Sequence, residues 1–288
     1  MTRGAEWEDS SVRPLGPREF EQIRELAYRT FGLDLKPGKE ELVSARLQRL
    51  VRSGGFRSYQ DYCRHVLGDP TGESLLALID ALATNHTSFL READHFDFLR
   101  EKVLPALARR DSLDIWSAAC STGEEIWTLA FLLRDALPSA RIRLVGTDIS
   151  RKVLAYAERA VYPADRVNGL PPAWIKGYFA AEGRPPKAYR VKPEIRAQAV
   201  FQRLNLIEPL TWSKQFPVIF CRNVMIYFDR PTQQRVISSL SRSLEPGGYL
   251  FVGHAESFTG IDHRLEYVRP AVYRQPGAKK GGPWSGSS

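Results

Sequence analysis

At 288 residues, 43% hydrophobic and 26% charged, the chain has ordinary globular composition and length for about two domains. No window approaches about 20 uncharged apolar residues, which excludes a membrane-spanning helix, and MTRGAEWEDSS lacks the apolar core of a signal peptide, so a cytoplasmic protein is expected. Three scattered cysteines (Cys63, Cys120, Cys221) without a CxxC argue against a disulfide framework or a zinc site, and the net charge of +8 favours an acidic partner, nucleic acid or protein.

In chain order, residues 1–14 are polar and expected to be disordered, as is the tail 276–288. From Pro17, the recurrence of Phe20, Ile23, Ala27 and Phe31 at i, i+3, i+7 and i+11 predicts a helix. A second runs from about Lys39 to Ser53, with Leu42, Val43, Leu47, Leu50 and Val51 on one arc and Gly54-Gly55 ending it. Arg46, Arg49 and Arg52 lie on the flank away from that arc. A further helix carries Leu75, Leu78, Ile79 and Leu82, so residues 15–85 read as a small all-helical domain.

After Arg91 the texture changes, and 86–275 read as a second domain. A helix (Phe96, Leu99, Val103, Leu107) leads to LDIWSAA, a run suited to a buried parallel strand. A turn (CSTGEE), a helix (TLAFLLRDAL), a strand (RLVGTDI) and a helix (VLAYAERA) follow, the alternation of a doubly wound α/β domain. Segment 162–200 interrupts it with prolines and the short pieces YRV and AVF, expected to form an inserted antiparallel β subdomain. The alternation resumes with PVIFCRN, a helix (PTQQRVISSLSRSL), a turn at EPGG and the strand YLFVG.

In an open parallel sheet, ligands bind outside the carboxyl ends of the strands. Those ends carry Ser121-Thr122-Gly123-Glu124-Glu125, Asp148 and Arg222-Asn223, and Asn205 closes a run of its own in RLNLIE. The first turn has one glycine and two glutamates, whereas a pyrophosphate-binding turn needs a glycine-rich backbone free of adjacent acids. Two carboxylates suit an ammonium or sulfonium group, and Asp148 is placed to accept from ribose hydroxyls. S-adenosylmethionine combines these features. Equally, the glutamates can complement the dipole of the next helix, and Asp148 in TDIS can serve an N-cap.

The combination is more specific than its parts. TNHTSFLRE (84–92), WSAACSTGEE (116–125), TDIS (147–150), NLIE (205–208), FCRNVMIYFD (220–229) and LEPGGYLFVGHAES (244–257) together resemble the chemotaxis receptor methyltransferase family (CheR), over residues 17 to 274. The resemblance implies a Rossmann-like class I methyltransferase domain behind the all-α domain. It implies methyl transfer from S-adenosylmethionine to glutamates on the cytoplasmic helical region of bacterial chemoreceptors, without a metal. By the same resemblance, Asn85, Thr87 and Arg91 contact the cofactor or border its methyl group, Glu125 binds the amino-acid arm and Asp148 the ribose. Asn205-Leu206 frame the adenine, Arg222-Asn223 line the pocket, and Arg91 and Tyr227 flank methyl transfer. Where the family commonly has Pro-Tyr-Ser after the paired glutamates, this chain has Ile126-Trp127-Thr128.

A glutamate carboxylate, with an ordinary pKa of about 4.3, is already an anion near pH 7 and needs no general base. The enzyme must orient and desolvate it, work for an arginine fork and a phenol rather than a catalytic His or Cys. His254 reads as a hydrogen-bonded residue at a strand end, and Cys120 and Cys221 as small buried side chains. A nucleic-acid amino-methyltransferase would carry a proline pair where this chain has Arg-Asn-Val-Met, so no nucleic acid is expected as substrate; a non-catalytic cofactor-binding module would not need both Arg91 and Tyr227. Arg46, Arg49 and Arg52 are the expected docking face for an acidic receptor helix. Family members that tether a receptor tail share a Gly-X-Gly loop in the β subdomain. EGRPPKA (182–188) lacks it, so tethering is expected to be absent, and the chain is expected to be a monomer.

Overall fold

The computed structural model describes residues 14–83 and 86–277, so Asn85, nearly all of the N-terminal segment and most of the tail lie outside the described residues. The chain divides into two compact units, Met1–Thr84 and Asn85–Ser288.

Among the described residues the first unit is all helical. α1 (Pro17–Phe31) buries Phe20, Ile23, Ala27 and Phe31, the positions its period picks out. It stops at Gly32, whose φ of 77° is left-handed and whose N–H bonds back to Tyr28. α2 (Glu40–Ser53) buries Val43, Leu47 and Val51, a narrower stripe than expected, since Leu42 is 43% exposed. α3 (Tyr59–Gly68) has no counterpart among the sequence expectations: the Ser58 hydroxyl caps it by accepting from the Asp61 N–H, and Tyr59, Tyr62, Cys63 and Val66 form its inner face. Its apolar stripe is made of tyrosine and cysteine, which a search for aliphatic periodicity passes over. α4 (Glu73–Leu82) packs on α2 and α3 through Leu78, Ile79 and Leu82.

The second unit begins with α5 (Ala93–Phe98), which passes through a π turn at Leu99–Val103 into α6 (Leu104–Leu107). Pro105 in α6 has no N–H for a regular helical ladder. β1 (Ser112–Ala118), α7 (Glu124–Ala136), β2 (Arg141–Asp148) and α8 (Arg151–Arg159) alternate as the sequence predicts. Next come β3 (Val161–Pro163), α9 (Ala164–Val167), α10 (Pro172–Tyr178), β4 (Phe179–Glu182), β5 (Ala188–Val191) and α11 (Pro193–Arg196). β6 (Ala199–Arg203), β7 (Phe216–Cys221), a 3-10 turn at Met225–Tyr227, α12 (Arg230–Ser243) and β8 (Leu244–Val252) follow, and β9 (Glu266–Arg269) and β10 (Val272–Arg274) are the last elements among the described residues.

Seven strands make the main sheet in the order β6-β2-β1-β7-β8-β10-β9. The first five are parallel, and β10 runs antiparallel to both of its neighbours. Side chains along β7 alternate between two apolar clusters: Val218 and Phe220 join one, Ile219 and Cys221 the other. Both faces are covered, which is why VIFC reads as an unbroken apolar run.

Two expectations need correction. AVF does not belong to the inserted sheet, which is β3-β5-β4; as β6 it pairs parallel with β2 at the edge of the main sheet. Gly146 on β2 permits this approach, because a Cβ there would lie 2.7 Å from the Phe201 ring. The antiparallel insertion therefore sits inside the crossover from β2 to β6. EPGG, expected as a turn, is an irregular start to β8, with a register shift opposite Phe216 and Val218 and Gly247 at φ 81°. Among the described residues, no helix is long and apolar enough to cross a membrane.

Candidate functional site at the carboxyl ends of β1, β2 and β7

The turn after β1 is tightly wound. Ala119 (φ 70°), Ser121 (φ 49°) and Gly123 (φ 93°) are all left-handed. At Gly123 a Cβ would also sit 2.8 Å from that of Ala157, so only glycine fits. Two strained non-glycine residues, each costing about 1–3 kcal/mol, flank Cys120, whose N–H bonds the Thr147 carbonyl, and Asp148 holds the second of them. The Asp148 carboxylate accepts from the Ser121 N–H at 2.9 Å and the Ser150 N–H at 3.0 Å. The N-cap of α8 is Ser150 itself, whose hydroxyl takes the Val153 N–H. Asp148 thus ties the ends of β1 and β2 together rather than capping the helix.

The two glutamates after Gly123 part company. Glu124 is fully buried, 2.7 Å from Arg166 of α9 and bonded by the Thr122 hydroxyl. It anchors the insertion. Glu125 faces the sheet end instead, accepting from the Ser117 hydroxyl at 2.6 Å and pairing with Arg222 at 3.0 Å. Ile126, Trp127 and Thr128 continue α7 without interruption, and the Thr128 hydroxyl accepts from the Leu90 N–H at 3.3 Å. That contact helps pin the 86–92 loop, as does Phe89, whose ring packs edge-on to Tyr162 at 4.9 Å.

Arg222 is the hub of the site. Only 6% exposed, it reaches Glu125 with one terminal nitrogen and Glu92, at 3.1 Å, with the other, which also donates to the carbonyl of Arg91. Its guanidinium lies over Phe96 at 5.5 Å and Phe220 at 6.0 Å. Asn223, at φ 59°, sends its amide nitrogen to Glu92 at 3.2 Å. Burial alone would raise the Glu92 carboxyl, but Arg222 and the Asn223 amide outweigh it and hold the group below its ordinary value. The 86–92 loop is thereby fastened to the end of β7.

Thr87 is half-buried, and Arg91 donates to the His86 carbonyl at 2.8 Å, so its guanidinium is held by its own loop. Asn205 turns its amide towards Glu208 at 2.9 Å, next to the Leu204 N–H that bonds the Asp148 carbonyl. Leu206 is buried in the cluster beneath β7. Tyr227 ends the 3-10 turn, half-buried, and among the described residues its hydroxyl has no hydrogen-bond partner. The structure so pairs Arg222 with Glu125 directly, joins Asn223 to Arg222 through their shared partner Glu92, reaches Arg91 through its carbonyl, and joins Asp148 to the β1 turn. No hydrogen bond joins the Arg91 and Tyr227 side chains among the described residues.

Of the proposed docking residues, Arg46 is half-buried and donates to the Leu82 carbonyl at the end of α4. Arg49 and Arg52 are exposed. Cys120 and Cys221 are buried, and burial pushes both thiols well above their ordinary value, so neither is a ready thiolate. His254 lies just beyond β8, 3.2 Å from Asp94. Glu92, His95 and His254 present ligand atoms within 4.8 Å of one another, but the guanidinium on Glu92 already supplies the positive charge there. Neither Glu92 nor Glu256 is marked by the sequence, although both stand in TNHTSFLRE and LEPGGYLFVGHAES; an acid directly after an arginine or four residues past a strand end is a weak signal by itself.

The family model described as CheR methyltransferase, SAM binding domain, matches residues 85–273, and that of its all-alpha domain matches 18–83. The chain is 36% identical over 268 residues to the chemotaxis protein methyltransferase of Borreliella burgdorferi, covering 89% of this chain and 94% of that one. It is 40% identical over 261 residues to chemotaxis protein methyltransferase 2 of Pseudomonas aeruginosa, covering 88% and 92%. With the chemotaxis protein methyltransferase of Klebsiella aerogenes it shares 39% over 265 residues, 90% of each chain.

Proposed function

The chain belongs to the CheR methyltransferase family, and from that premise we propose that it methylates glutamate side chains on the cytoplasmic helical region of bacterial chemoreceptors, with S-adenosylmethionine as donor. The observation that carries this reading is the Glu125 carboxylate, fixed by Ser117 and Arg222 at the mouth of β1, with Asp148 at the neighbouring mouth of β2. Anionic groups around a turn with one glycine fit an ammonium-bearing nucleoside and would repel a pyrophosphate. The residues present therefore fit the donor.

In this reading Glu125 takes the donor's amino group and Asp148 its ribose hydroxyls, with Asn205 and Leu206 beside the base. Thr87, Arg91, Arg222 and Asn223 complete the pocket, and Asn85 belongs to the same set by its place in the motif. The bound donor supplies an electrophilic methyl carbon on a sulfonium. Transfer of that methyl to the accepting carboxylate oxygen would break the carbon–sulfur bond and leave its electron pair on sulfur. No proton moves. Arg91 and Tyr227 orient the accepting carboxylate and exclude water from it, the contributions that an in-line displacement on a preformed anion requires. Arg222 does not touch the accepting group; its two carboxylate partners make it the residue that sets Glu125.

The test is incubation with methyl-labelled S-adenosylmethionine and receptor cytoplasmic fragments. Base-labile label released as methanol is the expected result; label that is absent or base-stable rejects the reading.

A further inference from the structure

Glu256 lies just past β8, is 7% exposed, and forms no salt bridge among the described residues. Its carboxylate instead takes four backbone N–H groups. One oxygen accepts from Gly253 at 2.6 Å and Asn223 at 2.9 Å, the other from Val224 at 2.9 Å and Met225 at 2.7 Å. Three consecutive amides converging on one anion make a nest of the kind that binds phosphate or carboxylate ligands; here the anion is a side chain of the same protein.

The geometry is demanding. Asn223 stands at φ 59°, a left-handed conformation that asparagine adopts more readily than most non-glycine residues, and the Glu256 carboxylate is what its N–H meets there. Gly253 must lack a Cβ, which would lie 2.4 Å from the Asn223 side-chain nitrogen. The same turn continues to Tyr227, whose N–H bonds to the Val224 carbonyl at 3.1 Å. One carboxylate so fixes where Asn223 faces Glu92 and where the 3-10 turn presents Tyr227.

We propose that Glu256 is a positioning residue for methyl transfer: its carboxylate holds the Asn223–Met225 turn so that Asn223 and Tyr227 face the reacting groups. The inference rests on the function proposed above. Burial of a carboxylate matched only by backbone dipoles raises its proton affinity, which backbone N–H groups alone partly offset, as expected of an anion kept for geometry.

Glu256→Gln in the full chain is the test, because it preserves size but turns an amide NH2 against two N–H donors. The expected result is loss of hydrogen-exchange protection at the amides of Asn223, Val224 and Met225, with those of β7 and β1 unchanged. With receptor as substrate, kcat should fall about 10²-fold, the scale of losing one preorganised contact, while KM for receptor stays within about threefold. Gly253→Ala, which pushes the same asparagine without altering the carboxylate, should reproduce that split. Wild-type kcat in both variants, or a Glu256→Gln chain that keeps its exchange protection, overturns the inference while leaving the functional reading intact. A wild-type chain that binds the donor but leaves receptor unmethylated sinks the functional reading and this inference with it.

Discussion

Arg222 and Glu125 stand 97 positions apart in sequence, and their side chains meet at 3.0 Å at the shared mouth of β7 and β1. Because the other nitrogen of Arg222 reaches Glu92, one buried cation orders two carboxylates and the loop behind one of them. Removing one member of a buried ion pair costs about 3–5 kcal/mol, since the partner is left charged and dry. Arg222→Met should therefore lower the unfolding free energy by about that amount in urea titrations. Arg222→Lys, a compact ammonium in place of the fork, should recover less than half. A stability equal to wild type in Arg222→Met would refute the hub assignment.

Asp148→Ala should weaken binding of S-adenosylmethionine or its demethylated product by roughly 1.5–3 kcal/mol, a tenfold to hundredfold change read by calorimetry. The variant also leaves the N–H groups of Ser121 and Ser150 without that acceptor, so a lower melting temperature should accompany the weaker binding. Unchanged affinity in a folded variant would take Asp148 out of the pocket.

Arg91→Ala and Tyr227→Phe should reduce turnover more than they weaken donor binding. About a 10²–10³-fold loss in kcat is expected for Arg91, the scale of one preorganised electrostatic donor. Among the described residues the Arg91 side chain bonds only within its own loop, to the His86 carbonyl, so its loss should leave stability within about 0.5 kcal/mol. Near-normal turnover on receptor would exclude it from the chemistry.

Docking through α2 should show in the salt dependence of receptor methylation. Arg46 also caps α4 through the Leu82 carbonyl, so the cleaner variant is Arg49→Gln with Arg52→Gln. Apparent KM for receptor should rise steeply, its salt dependence should flatten, and donor affinity should stay intact. Normal receptor kinetics together with tight binding of an isolated receptor tail would place substrate capture on the β3-β5-β4 insertion instead.

His95 gives the fold a pH dependence. It is fully buried, neither ring nitrogen has a hydrogen-bond partner among the described residues, and burial first, then Arg222, lowers its pKa from 6.5 to about 4. Between those values the unfolded chain holds a proton that the folded chain does not. Stability therefore rises with pH across that window, is fully present above it, and is lost as pH falls towards 4. Glu92, held below its ordinary value, adds loss of the same sign at still lower pH. Denaturation midpoints for wild type should climb between pH 4.5 and 7, and those of His95→Phe should climb less. Parallel pH curves for the two proteins would contradict this origin.

What is local or periodic is legible along the chain. Apolar spacing located α1, α2 and α4, the apolar runs at β1, β2 and β7 marked strands, and the polar residues ending those runs offered Glu124-Glu125, Asp148 and Arg222-Asn223 as candidates. What depends on partners far along the chain is set by packing. Glu124 and Glu125 are adjacent and chemically alike, yet only packing sends one to Arg166 and the other to Arg222. AVF has the same strand propensity in either sheet; the bare backbone of Gly146 beside Phe201 admits it to the main one. Glu256, with no period and no cation beside it in sequence, becomes an anchor only when β7 and β8 lie side by side and three amides 31 to 33 positions away converge on its carboxylate. Hydrophobic burial fixes the order of strands cheaply and redundantly, whereas a charge network depends on the directions of single bonds, which no local pattern encodes.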